Sequence, residues 1–271
     1  MSEPQEWRPV GVDVDVPSAA RIYDYALGGA HNFAVDREAA DALRAIYPEG
    51  LLVARSNRAF LQRAVRFCLA RGITQFLDLG SGIPTVGNVH EIAHQLNPDC
   101  RVVYVDNEPV AVAHTREIIA DVANVAIVDA DVRRAEAVLD APETRRLLDF
   151  DQPVAVMMVA VLHYVAPEED AAGIVRRYAS ALAPGSYLAI SHTTADPRPD
   201  VEEMLLKLFA ETGTPITHRT RDEVTALFDG LELVEPGVVW TPDWHPDEAD
   251  PLYGNPPASV TFCGVAQIPS P

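Results

Sequence analysis

Three apolar runs in this chain each stop at a carboxylate. Phe76-Leu77-Asp78-Leu79 runs into Gly80-Ser81-Gly82, Val102-Val103-Tyr104-Val105 stops at Asp106, and Ala126-Ile127-Val128 stops at Asp129-Ala130-Asp131. A strand that turns through two glycines lets backbone approach a nucleoside closely. An acid closing the next strand can accept hydrogen bonds from both hydroxyls of a ribose. Asp106 follows Gly82 at the interval of a nucleotide-binding βαβ unit. A dinucleotide fingerprint would continue to a third glycine, so that a helix N-terminus meets a pyrophosphate. Here the turn continues Ile83-Pro84-Thr85. Asp78, ahead of the turn, would repel a phosphate and suits a cationic, amino-acid-like group.

These acids need a framework to hold them. From Ile73 onward, strand-like segments at 74–79, 101–105, 125–129, 153–159 and 186–191 alternate with helical segments at about 85–96, 108–122, 132–148 and 168–183. Such alternation predicts parallel strands with right-handed crossovers. Helices are predicted at about 199–212 and 221–229, then strands at 231–240 and 259–268. No helix joins these last two strands, so antiparallel pairing is expected between them. Residues 241–258, rich in Pro and Asp, read as a loop without regular structure, and Asp243-Trp244-His245-Pro246-Asp247 within it as a solvated stretch. Ahead of the sheet, residues 1–16 read as a flexible arm and 17–72 as an N-terminal helical cap, with Asp36 capping its second helix. Arg21, Asp24 and Tyr25 share one face of the first helix, which ends at Gly28-Gly29. Either Arg21 and Asp24 form an ordinary i, i+3 surface pair, or this helix folds over a pocket as a lid.

Lys and Arg number 21 against 40 Asp and Glu, a formal net charge of -19. That field repels phosphate backbones and anionic lipid, so neither nucleic acid nor membrane is an expected partner. No apolar stretch is long enough to span a bilayer, and no signal region is visible. Cys68, Cys100 and Cys263 offer no disulfide framework or zinc spacing. A cytoplasmic protein acting on a small molecule is expected. His90 and His94 lie one helical turn apart but lack a convincing third ligand, so no metal is expected.

S-adenosyl-L-methionine combines adenosine with an ammonium and a sulfonium and carries no phosphate, which suits Asp78 and the two-glycine turn. The chain resembles a class I S-adenosylmethionine-dependent methyltransferase through Asp78-Leu79-Gly80-Ser81-Gly82, Asp106 and Asp129-Ala130-Asp131-Val132. Arg21 to Gly29, Asn32-Phe33, Asp36-Arg37, Gly87 to Glu91 and Leu162-His163-Tyr164-Val165 are similar to a bacterial S-adenosyl methyltransferase family long catalogued as a domain of unknown function. The resemblance implies a Rossmann-like class I methyltransferase α/β fold: a mostly parallel seven-stranded sheet with an antiparallel last strand, plus the N-terminal helical cap, the cofactor domain spanning 73–271. It implies that Asp78, Gly80, Ser81 and Gly82 line the methionine end, Asp106 and Asn107 flank ribose and adenine, and Asp131 and Val132 meet the adenine edge. Tyr25, Gly29 and Asn32 would reach the cofactor from the lid. His163, after the fourth strand, is the first candidate base, with a wall or helix cap as its plain structural role. His192, after the fifth strand, is a candidate acceptor contact. Two alternatives remain at this stage: a non-catalytic S-adenosylmethionine or S-adenosylhomocysteine binder, and an NAD-dependent oxidoreductase.

Overall fold

The computed structural model describes residues 13–270. Most of the expected arm, 1–16, lies outside them. Three helices lead: α1 (Ala19–Ala26), α2 (Ala34–Ile46) and α3 (Gly50–Leu69). Strands and helices then alternate: β1 (Gln75–Leu79), α4 (Val89–Leu96), β2 (Arg101–Asp106), α5 (Pro109–Ile118), β3 (Val125–Asp129), α6 (Ala135–Leu139), α7 (Pro142–Leu147), β4 (Ala155–Val159), α8 (Ala171–Ser180) and β5 (Tyr187–Thr193). The chain closes with α9 (Glu202–Glu211), α10 (Arg221–Ala226), β6 (Glu232–Leu233), β7 (Val239–Trp240) and β8 (Thr261–Gln267). The eight strands form one sheet in the order β3-β2-β1-β4-β5-β8-β6, and β7 also pairs with β8. β1 to β5 are parallel, and β8 runs antiparallel to β5, β6 and β7.

Two sequence expectations shift. The strand expected over 231–240 is broken into β6 and β7, which pair with β8 at successive positions, Gln267–Ala266 and Cys263–Phe262. Pro236 lacks the N–H a ladder needs, and Gly237, at φ +83°, turns the chain out, donating to the Val234 carbonyl at 2.8 Å. The seven expected sheet positions are thus filled by eight strands. The helix expected over 132–148 is split into α6 and α7, because the residue before Pro142 is pushed out of helical conformation.

Strand alternation sorts the side chains into two cores. Leu77, Leu79, Val103, Val105, Val156, Met158, Leu188 and Ile190 face α6, α7 and α8. Phe76, Val102, Tyr104, Ala155, Met157, Tyr187 and Ala189 face α3 and α4. The same parity aims Asp78 and Asp106, one pleat beyond Phe76 and Tyr104, towards the α3 side. α3 is therefore not part of a separate cap: Phe60, Leu61, Ala64, Val65 and Cys68 are buried in the sheet's own core. The expected solvated loop also contributes there. Trp244 is fully buried against Phe60 and Phe67, with ring centroids 5.4 and 5.3 Å away. Arg63 of α3 holds this loop through Asp250 at 3.1 Å and the Trp244 carbonyl at 3.0 Å.

α1 and α2 are clasped by buried charge. Arg21 and Asp24 form no i, i+3 pair. Arg21 Nε donates to Asp36 Oδ2 at 2.8 Å, and the two side chains are 3% and 0% exposed. Asp36 sits in the first turn of α2 rather than ahead of it, and also accepts from the Ser18 and Phe33 N–H groups. Asp24 accepts from His31 N–H, Asn32 Nδ2 and Thr85 Oγ1, the last at 2.6 Å. Gly29 passes so close that an added Cβ would lie 1.9 Å from Asp24 Oδ1. Gly29→Ala should therefore cost about 1–3 kcal/mol by overpacking. In a thermal melt that lowers Tm by roughly 5 °C.

Candidate active site

The carboxyl ends of β1, β2, β3 and β4 open into a cavity of about 1150 Å³. One ligand pocket spans about 300–1,000 Å³, so there is room for a cofactor and a second molecule. Asp78, Gly80, Ser81, Gly82, Asp106, Asn107, Asp131 and Val132 all line it. α1 closes one side through Ala19, Ala20 and Tyr23, and α3 supplies Asn57 and Arg58.

The glycine turn is held by β2. Gly80 and Ser81 donate to the Val105 carbonyl at 2.8 and 3.1 Å. Gly82 donates to Asp106 Oδ2 at 2.7 Å, while Glu108 N–H donates to Oδ1 at 2.8 Å. Each Asp106 oxygen thus keeps a lone pair for a further donor. Burial is the main reason the Asp106 carboxyl is pushed up. Gly80 combines φ +68° with a close approach: a Cβ there would lie 2.3 Å from Val161 Cγ2. Beyond β4, Ala160 is held at φ +58°, a left-handed conformation rare outside glycine. Its N–H donates to Ser191 Oγ at 2.9 Å, and Ser191 donates to Asn57 Oδ1 at 2.6 Å. Asn57 Nδ2 in turn donates to the Tyr23 hydroxyl, which donates to the Ala54 carbonyl. This chain ties α1 and α3 to the ends of β4 and β5.

Three polar side chains on the cavity wall have polar atoms without hydrogen-bond partners among the described residues. The Asp78 carboxylate accepts no hydrogen bond among the described residues, although Asp78 is only 4% exposed. Burial pushes its carboxyl up to about 7, against the pull of Arg58. Arg58 Nε and Ser81 Oγ are also buried and unsatisfied. Leaving such groups unmade costs about 1–3 kcal/mol each. A carboxylate, a guanidinium and a hydroxyl beside a glycine turn match the ammonium and carboxylate of an amino acid.

A family model described as S-adenosyl methyltransferase matches residues 5–269. The chain belongs to the S-adenosyl methyltransferase family. A DUF574 family protein from Streptomyces avermitilis is 41% identical, superposing with a TM-score of 0.90 over 95% of this chain and 99% of its own. A candidate methyltransferase from Thermobifida fusca is 42% identical, with a TM-score of 0.91 over 98% of this chain and 100% of its own. No curated protein matches. Family membership decides between the cofactor readings in favour of S-adenosyl-L-methionine, and those three side chains fit its amino-acid end.

Not every expected site residue faces the cavity. Tyr25, Gly29 and Asn32 lie off its lining. Asn32 spends its amide on Asp24 and Gly29 is pressed against the same carboxylate, so both shape the clasp of α1 rather than a ligand surface. His163 and His192 stand behind the wall, because parity turns His192 to the face opposite Ser191. His192 Nδ1 lies 2.8 Å from the Thr193 carbonyl and its Nε2 accepts from Arg219 Nη1 at 2.6 Å, leaving neither nitrogen free. Burial drives its pKa down to about 3 and that of His163 well below the usual range. Neither is placed to take a proton from an acceptor. Asp131 lines the cavity, yet the Arg133 guanidinium binds its carboxylate and holds it below the usual range. His90 and His94 are occupied by the Tyr104 hydroxyl and the Cys100 carbonyl. Among the described residues no three His, Cys, Asp or Glu gather as a metal site, and no helix is long and apolar enough to cross a membrane.

Arg58 and Asn57 are among the cavity residues that spacing alone leaves unassigned. One signal points to Arg58: it stands three and seven residues before Leu61 and Val65, on the inward face of α3. A cation there needs a buried partner or a ligand.

Proposed function

We propose that this protein transfers the methyl group of S-adenosyl-L-methionine to a small-molecule acceptor. The observation that carries the reading is the convergence on the cavity that Asp106 closes of Asp78, Arg58 and Ser81, whose polar atoms lack hydrogen-bond partners. Bound S-adenosyl-L-methionine supplies an electrophilic methyl carbon on a sulfonium. Asp78 would pair with the ammonium, and Arg58 and Ser81 with the carboxylate. Asp106 would accept from the ribose hydroxyls. Asn107, Asp131 and Val132 would border the adenine, with Asp131 fixed in place by Arg133. Tyr23 and Tyr164 also line the wall, and Arg58 lies over the Tyr23 ring at 5.6 Å. The chain's further contribution is alignment: a bound acceptor held in line with the reacting bond gains most of what such a displacement needs. The acceptor class follows from enclosure and charge. Asp78, Asp106, Glu108, Asp131, Glu169 and Glu202 line the cavity against Arg58 and Arg133, which disfavours a polyanionic substrate.

Calorimetric titration tests the reading. S-adenosylmethionine and S-adenosylhomocysteine should bind and NAD should not. Asp106→Asn should weaken S-adenosylhomocysteine about 10- to 100-fold, the value of one or two charge-assisted hydrogen bonds, with an unchanged circular dichroism spectrum. Preferential NAD binding would sink the proposal. Incubation with methyl-labelled S-adenosylmethionine and a metabolite extract separates catalysis from mere retention: tight binding with no label transferred would mark a non-catalytic binder.

A further inference from the structure

A second histidine–acid pair lies on the cavity wall itself. His218 Nδ1 is 3.2 Å from Glu202 Oε1, and both residues line the cavity. A carboxylate can only accept, so Nδ1 carries the proton and Nε2 the lone pair. Nε2 makes no hydrogen bond among the described residues. The segment carrying His218 is docked on the turn that follows β4. Thr217 N–H donates to the His163 carbonyl at 2.7 Å, and Arg219 Nη1 to the Leu162 carbonyl at 3.2 Å. Ala160, Val161 and Tyr164 of that turn line the same cavity, and Val161 abuts Gly80. His218 therefore lines the same cavity beside the post-β4 turn, which itself abuts the glycine turn through Val161.

We infer that His218, oriented by Glu202, is the base that deprotonates a neutral phenol-type hydroxyl acceptor in this cavity. The inference rests on the methyltransferase reading and adds the acceptor class and the base. The groups facing His218 are Glu202 of α9, His163 of the post-β4 turn, His192 of β5 and its neighbour Arg219. Burial keeps His163 and His192 neutral, and it holds the Tyr164 hydroxyl protonated. His218 alone of these combines a free ring nitrogen with a carboxylate that can stabilise the imidazolium. The acceptor's charge and body follow from the wall: its excess of carboxylates disfavours an anion, while Leu206, Pro215, Ile216 and Pro167 offer apolar contact to an aromatic ring. In the step, the acceptor oxygen bonds to the methyl carbon as the carbon–sulfur bond breaks and leaves its electron pair on sulfur. The hydroxyl proton passes to His218 Nε2. The positive charge thus moves from the sulfonium to an imidazolium paired with Glu202, and the products are an aryl methyl ether and S-adenosylhomocysteine.

The test uses methyl-labelled S-adenosylmethionine with a panel of phenols and catechols beside matched anilines and thiophenols. The wild type should methylate phenolic members. His218→Ala should lower kcat on the order of 100-fold or more, the usual worth of a general base. Its affinity for S-adenosylhomocysteine should be unchanged. Glu202→Gln, a positioning change, should lower kcat about tenfold at constant KM. A second readout is independent of turnover: 4-nitrophenol bound to the S-adenosylhomocysteine complex should ionise at lower pH than in solution, as seen in its absorbance, and His218→Ala should abolish that shift. Turnover within twofold of wild type in His218→Ala overturns the proposal. So does methylation confined to the anilines or thiophenols, or no phenol turnover by a protein that binds S-adenosylhomocysteine. Failure of the wild type to bind S-adenosylhomocysteine at all would instead remove the methyltransferase reading beneath it.

Discussion

Asp78→Asn should make the ligand-free protein more stable at pH 8 while weakening S-adenosylmethionine binding at least 10- to 100-fold, the worth of a charged hydrogen bond. The sign follows from the raised carboxyl. Its folded pKa is about 7 through burial, against an ordinary value near 3.8. Between those two values the folded protein binds the extra proton, so stability falls as pH rises through that window. Above pH 7 the full cost applies, on the order of 4 kcal/mol at 1.36 kcal/mol per unit. A neutral amide avoids it. The gain in Tm should therefore be largest at pH 8, several degrees, and fade towards pH 4. Ligand binding has the opposite dependence. An ammonium pairs with the carboxylate only when it is ionised, so wild-type affinity should fall as pH drops through about 7, with proton release on binding below it. Calorimetry in buffers of different ionisation heat measures that release directly. An apo Tm unchanged or lowered at pH 8, or an affinity indifferent to pH between 6 and 8, would refute the assignment.

Asp36→Ala should be the most destabilising single change in the clasp. It leaves Arg21, 3% exposed, without its carboxylate, and it removes the acceptor of the Ser18 and Phe33 N–H groups. Breaking a buried pair from one side costs about 3–5 kcal/mol. For a chain of this size that is a fall of roughly 10 °C in Tm. Arg21 also reaches Glu108, the N-cap of α5, at 3.4 Å. The loss should therefore extend to cofactor affinity, because α1 carries Ala19, Ala20 and Tyr23 into the cavity wall. The double variant Arg21→Met, Asp36→Leu should recover the part of the loss that comes from the orphaned guanidinium, but not the acceptor of the Ser18 and Phe33 N–H groups. If the double variant melts lower than Asp36→Ala, the pair is not what holds α1 and α2 together.

The acids near strand ends were legible because the carboxyl ends of adjacent parallel strands open on one edge of the sheet. Asp78, just before the end of β1, Asp106, which ends β2, and Asn107, Asp131 and Val132 in the turns that follow β2 and β3 all reach one cavity for that reason. The histidines after β4 and β5 show the limit of the same logic. Knowing that His192 closes a strand does not say which face it takes, and one residue of parity separates Ser191, in the α3 network, from His192, beneath Arg219. The lid helix was visible through its double glycine, yet its charges pair across 15 residues to Asp36 rather than within a turn. Arg58 and Trp244 were hidden because their surroundings are long-range: Arg58 meets a strand-end acid, and Trp244 is drawn into the core from a proline-rich stretch held by Arg63. His218 lies in a segment without periodicity, where only tertiary docking places a side chain.

The broken run beside β8 bears on how these molecules behave when crowded. β6 and β7 contribute two residues each, separated by a turn through Pro236 and Gly237. The outermost rim on that flank thus presents no continuous row of unpaired amides and carbonyls for a neighbour's strand to extend. Together with mutual repulsion between copies bearing a charge of -19, this should disfavour strand-templated association along that edge.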